Sequence, residues 1–82
     1  MYFRMEVCTG ISESIKKFEF EYNDIEELKT GILKRIGNIR GTNKAEKEKP
    51  ELKRRIKACK SLEELVSLFN YGVGSWEIML RF

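Results

Sequence analysis

The stretch YFRMEVCT, residues 2–9, alternates residue by residue, with Phe3, Met5 and Val7 on one side and Arg4, Glu6 and Cys8 on the other. An alternation of period two is the mark of a half-buried strand. IKKFEFEY, residues 15–22, repeats it, with Phe18, Phe20 and Tyr22 set against Lys17, Glu19 and Glu21. Residues 10–14, a turn polar apart from Ile11, separate the two runs, so they read as an antiparallel hairpin. SWEIMLRF, residues 75–82, alternates a third time, with Trp76, Ile78, Leu80 and Phe82 opposite Glu77, Met79 and Arg81.

Between the second and third strands the period changes. Ile25, Leu28, Ile32, Leu33 and Ile36 recur at helical spacing, opened by Asp24 with Glu27 three residues on and closed near Gly37. That is an amphipathic helix with a capping box. Gly31 inside it weakens the helix by up to ~1 kcal/mol relative to alanine, so its place suggests close packing on the sheet or on another helix. Residues 38–49 are the most polar of the chain and read as an exposed, mobile linker, with a short helical turn capped by Asn43 and Glu46 as the alternative. A second helix is expected to start near Pro50, whose missing N–H suits a first turn. Its apolar stripe is narrow: Leu52, Ile56 and Cys59. Ser61 with Glu64 opens a third helix carrying Leu62, Leu65, Val66, Leu68 and Phe69, and Gly72-Val-Gly74 reads as a tight turn into the last strand.

The order is therefore β-β-α-α-α-β. Strands followed by helices argue an α+β fold, a three-stranded antiparallel sheet with helices on one face. The first strand is expected in the centre and the last antiparallel to it. Eighty-two residues form a single domain, and nine aromatics suffice for one core. The other sheet face, with Arg4, Glu6, Lys17, Glu19, Glu21, Glu77 and Arg81, is expected to be wet and laced with cross-strand ion pairs.

Charge is distributed unevenly. Eleven of the sixteen lysines and arginines lie between Lys34 and Lys60, opposed there by Glu46, Glu48 and Glu51 alone. That segment carries +8 and the remainder −5, which a net charge of +3 conceals. Clustered cations attract anionic partners at long range. The residues read as the partner- or phosphate-binding set are Lys34, Arg35, Arg40, Lys53, Arg54, Arg55, Lys57 and Lys60. On the second helix Lys53, Lys57 and Lys60 share a stripe that Arg54 and Arg55 flank. The same pattern also fits a solvated helix with Glu51–Arg54 and Glu51–Arg55 pairs, each worth ~0.2–0.5 kcal/mol.

Other chemistry finds little support. Histidine is absent, which removes the commonest general base and metal ligand. No cofactor motif is present, and Gly72-Val-Gly74 lacks a third glycine and precedes a strand. Cys8 and Cys59 have no metal or redox spacing and read as reduced thiols. No leader is expected and no apolar run spans a membrane, so the expected compartment is cytoplasmic. The aromatics fall on the buried face, apart from Tyr2 and Tyr71, which argues against single-strand base stacking.

The expected function is therefore non-enzymatic, stoichiometric binding to an acidic surface through the basic helical segment. Direct nucleic-acid or nucleotide binding by the same residues is the alternative. An enzyme built on Cys8 or a carboxylate is a third reading. Abundant Lys, Glu and Ile with scarce Pro and His is a composition common in phages and low-GC bacteria, which suggests a phage-type inhibitor of a host defence or nucleic-acid-handling complex. The edges of a three-stranded sheet also leave room for a homo-oligomer, with Lys16 and Lys17 guarding the second strand.

Overall fold

The computed structural model describes residues 1–9 and 15–81. Its elements are β1 (Tyr2–Cys8), β2 (Lys16–Glu21), α1 (Ile25–Asn38), α2 (Asn43–Ala58), α3 (Leu62–Tyr71) and β3 (Glu77–Arg81). The sheet order is β2-β1-β3 and both pairings are antiparallel. The α+β architecture, the central first strand and the antiparallel last strand are as the sequence predicts. The turn expected over residues 10–14 and the side-chain placements of Arg81 and Phe82 lie outside the described residues.

Register explains the two faces. Phe3 pairs with Phe20 and Met5 with Phe18 on β2, while Met5 pairs with Leu80 and Val7 with Ile78 on β3. These side chains face the helices, and Phe3, Met5, Val7, Ile78 and Trp76 are buried with Leu28, Ile32, Ile36, Leu52, Ile56 and Leu65. Phe3 meets Phe20 at 5.3 Å between ring centroids and Tyr22 edge-on at 6.2 Å. On the open face Arg4 pairs with Glu19 at 3.4 Å and Lys17 with Glu6 at 3.7 Å, directly across the strands. At such exposure each pair contributes little, roughly 0–1 kcal/mol.

Gly31 is the point where α1 rests on the sheet. A Cβ there would come within 2.4 Å of the Phe20 ring. Glycine's helix-weakening cost thus permits the approach of helix to strand. Gly72 and Gly74 have φ of 76° and 57°, the left-handed region that favours glycine. Trp76 N–H closes the turn on the Val73 carbonyl at 2.9 Å.

Each helix has a side-chain cap. Asp24, Thr42 and Ser61 accept from the N–H of Glu27, Ala45 and Glu64. In each case a glutamate reaches back to the N–H just before the cap: Glu27 to Asn23, Glu46 to Gly41, Glu64 to Lys60. Each helix start thus has one of its orphan N–H donors satisfied, together with the N–H just ahead of the cap. α1 runs through Gly37, the glycine expected to stop it, to Asn38, and is capped by Ile39.

Residues 38–49 differ from the expectation: only 39–42 connect the helices, α2 begins at Asn43, seven residues before Pro50, and Ile39 and Ala45 are buried in the core. Trp76 Nε1–H donates to the Ala45 carbonyl at 2.8 Å, and the Glu48 carboxylate accepts from the Ser75 N–H at 3.1 Å. These bonds tie the first half of α2 to the turn before β3. Pro50 stands inside the helix, where it deprives the Glu46 carbonyl of its usual donor and costs ~3 kcal/mol or more. Pro50 and Glu46 are exposed, so water can take that carbonyl. Buried Ala45 on one side of the proline and Leu52 and Ile56 on the other hold the helix through it.

Candidate anion-binding face

α2 has an inner and an outer side. Ala45, Leu52 and Ile56 are buried, and Glu48 and Lys49 lie at the margins of that seam. The Lys49 ammonium donates to the Ile39 carbonyl at 2.6 Å and pairs with Glu46 at 3.1 Å. It therefore holds the α1–α2 connection. Outward, Lys44, Lys47, Arg54 and Lys57 are exposed. Their spacings of three, seven and three residues keep them on one side of a helix. The row spans about 20 Å at the helical rise per residue.

The eight residues expected to form the site are divided by the fold. Arg35 belongs to the sheet contact: its Nη1 donates to the Gly31 carbonyl at 3.1 Å, and its guanidinium lies 4.1 Å from the centroid of Phe20. Lys53 is half-buried, with its Nζ beside Gly37 at the end of α1, where carbonyls favour a cation. Lys34 and Arg40 are exposed, on α1 and on the α1–α2 connection. Lys60 is exposed beyond the end of α2, and its backbone N–H serves the α3 cap. The fold thus retains Arg54 and Lys57 in the outer row, leaves exposed Arg55 beside it on the Glu51 carboxylate, separates Arg35 from it, and adds Lys44 and Lys47.

Glu51 stands inside the basic face. It accepts from Arg54 Nε and Nη2 at 2.9 and 2.6 Å and from Arg55 Nε at 2.9 Å. The hydrogen bonds from Arg54, then Arg55, lower its pKa to about 2. A single carboxylate is thus shared by two guanidiniums, and Arg54's own pKa is raised by it. Glu46 is likewise lowered, first by the Gly41 N–H and then by Lys49. Of the three glutamates on α2, Glu48 is turned onto Ser75 and Glu46 is held by Gly41 and Lys49. Glu51 alone is bonded to cations of the outer side.

Lys29 was absent from the expected set, yet it is the most buried cation described, 9% exposed. Its ammonium donates to the Cys59 carbonyl at 2.8 Å and the Lys57 carbonyl at 3.1 Å, closing the C-terminal end of α2. The sequence does carry a signal: Lys29 sits four residues after Ile25 and three before Ile32, inside the apolar arc of α1. The Cys59 thiol donates to the Arg55 carbonyl at 3.3 Å, and burial pushes its pKa up.

Chemically, the outer side of α2 presents ammonium and guanidinium groups on a convex surface. Among the described residues no cluster of three or more His, Cys, Asp or Glu side chains could hold a metal ion. Among them also, no helix is long and apolar enough to cross a membrane. No protein-family model, curated protein or solved structure matches the chain.

Proposed function

We propose that the protein acts by stoichiometric binding, with the outer side of α2 engaging an acidic protein surface. The observation that carries this reading is the outward row Lys44, Lys47, Arg54 and Lys57, in which Glu51 is bonded to Arg54 while the exposed Glu46 is held by Gly41 and Lys49. A helix anchored by Trp76–Ala45 and Glu48–Ser75 presents these cations in a fixed array. Pre-organisation of this kind lowers the entropy lost on binding. The Glu51–Arg54–Arg55 cluster shows the same guanidiniums holding a carboxylate. The exchange of that internal carboxylate for a partner's is the recognition step proposed.

A nucleic-acid-binding site on a partner is itself basic, and the outer side of α2 would be repelled by it. The complementary surface is one rich in Asp and Glu.

The test is fluorescence anisotropy with a labelled acidic peptide, and in parallel with single- and double-stranded DNA and RNA, at low and physiological salt. The expected result is peptide binding that weakens with salt and is abolished by K47A/R54A/K57A, with the melting temperature unchanged. Alanine suits exposed helix positions, so the triple variant retains its fold. Binding of oligonucleotides but not peptide would transfer the face to phosphate. No binding of either at low salt would refute the proposal.

A further inference from the structure

The outer edge of β3, which no strand among the described residues covers, points to a second copy of this chain. Its hydrogen-bonding phase follows from the other side of the sheet. The Met1 amino group donates to the Tyr22 carbonyl at 2.8 Å, and Tyr22 N–H donates to the Met1 carbonyl at 2.9 Å. Main-chain groups alternate along an antiparallel ladder. Phe3, Met5 and Val7 therefore bond toward β2, and Arg4, Glu6 and Cys8 toward β3. Their partners Arg81, Met79 and Glu77 bond inward. The N–H and C=O of Ile78 and Leu80 are left pointing out of the sheet. Trp76 agrees with this phase, since its outward N–H and C=O both bond to Val73.

An antiparallel strand added at this edge must pair with Ile78 and Leu80. A two-fold axis at Met79 sets Ile78 opposite Leu80 of the second copy, and the reverse, for four main-chain bonds. The same register sets Glu77 opposite Arg81 of the second copy, twice. Both pairs fall at the positions without main-chain bonds, where facing side chains approach most closely. A slip of two residues one way faces Glu77 with Met79, and the other way faces Met79 with Arg81, so either slip loses both charge pairs. The strand EIMLR is thus complementary in charge to itself in one register only.

The rest of the edge fits this occupant. Within one chain Glu77 has Cys8 as its cross-strand neighbour, and position 81 has Arg4, a like charge already paired with Glu19. Met79 is half exposed, and Tyr71, 91% exposed, ends α3 beside the groove that runs along residues 77–80. The opposite edge differs, because Lys17 and Glu19 on β2 are already matched by Glu6 and Arg4. We infer that two copies join through β3 about a two-fold axis at Met79, making one six-stranded sheet with both Glu77–Arg81 pairs across the seam. An isologous pairing of this kind is the commonest route to a homodimer.

The test is sedimentation velocity over a wide concentration range on the wild type, E77R, R81E and E77R/R81E. The wild-type mass is expected to rise from 9.7 kDa toward twice that value. Each single swap replaces two attractive pairs by two repulsive ones and should raise the dissociation constant at least about fourfold. The double swap should restore it. Concentration-dependent protection of the Ile78 and Leu80 amides from hydrogen exchange supplies a reading that needs no variant. A wild type that stays monomeric at the highest concentration would overturn the inference. So would a dimer indifferent to both single swaps, or amide protection that does not change with concentration.

Discussion

Replacing Lys29 with methionine keeps the length of the side chain and removes only its charged donors. Two carbonyls then lose their partner. The bond to the Cys59 carbonyl is buried, and that group would be left unsatisfied at a cost of roughly 1–3 kcal/mol. The bond to the Lys57 carbonyl is only partly buried, so water replaces much of it and the loss there is ~0.5 kcal/mol. The ion pair with Glu26, 78% exposed on the acidic side, adds little. Against these stands the gain from no longer burying an ammonium, which methionine recovers in part. The balance is a loss of about 2 kcal/mol, a sizeable share of the ~5–15 kcal/mol typical of a domain. Urea denaturation should show a lower midpoint with unchanged slope. The C-terminal turn of α2 should exchange its amides faster. A variant as stable as the wild type would refute the view that Lys29 holds the end of α2.

Three further outcomes follow from the geometry. Gly31→Ala should destabilise the wild type, because the new methyl meets the Phe20 ring, but should stabilise a Phe20→Ala background by up to ~1 kcal/mol through helix propensity; thermal unfolding of the four proteins reads the reversal of sign, and its absence would discount the contact. The Glu51 carboxyl should titrate near pH 2 in carbon-detected NMR, whereas a midpoint in the ordinary range near 4.5 would mean that the arginine pairs do not persist in solution. Because this folded-state pKa is depressed, whatever stability the cluster contributes is present above about pH 4.5 and is lost as pH falls through about 2. Finally, Cys59 should react with a thiol reagent more slowly than half-buried Cys8, since it is buried with a raised pKa; equal rates would contradict that placement.

The strands and two of the three helices were legible because their apolar periods are strong. Phe3-Met5-Val7 and Phe18-Phe20-Tyr22 admit one register with the core, since a slip of one residue would turn every ring to water. Asp24–Glu27 and Ser61–Glu64 announce their helices locally. The start of α2 was hidden for a different reason. Residues 38–49 hold only Ile39 and Ala45 as apolar groups, too few to set a period, and what fixes them comes from far along the chain: the Trp76 indole and the Ser75 N–H. Thr42, which caps α2, has no apolar period behind it, whereas Pro50 stands directly before the stripe Leu52, Ile56 and Cys59. The same limit governs the site. Composition located the basic segment, yet could not know that Arg35 stacks on Phe20, that Lys49 is spent on Ile39, or that Lys44 and Lys47 join Arg54 on one side of a helix. Those assignments depend on which way α2 is turned, and tertiary bonds decide that.

The central claim is that α2 offers one outward basic face to an acidic partner. An amide-resolved NMR titration with an acidic peptide tests it most directly. The account predicts saturable shifts at Lys44, Lys47, Arg54, Lys57 and their neighbours, strongest at low salt, with the strand amides of β1 unmoved. Shifts spread over the whole surface, or centred on the open face of the sheet, would contradict it.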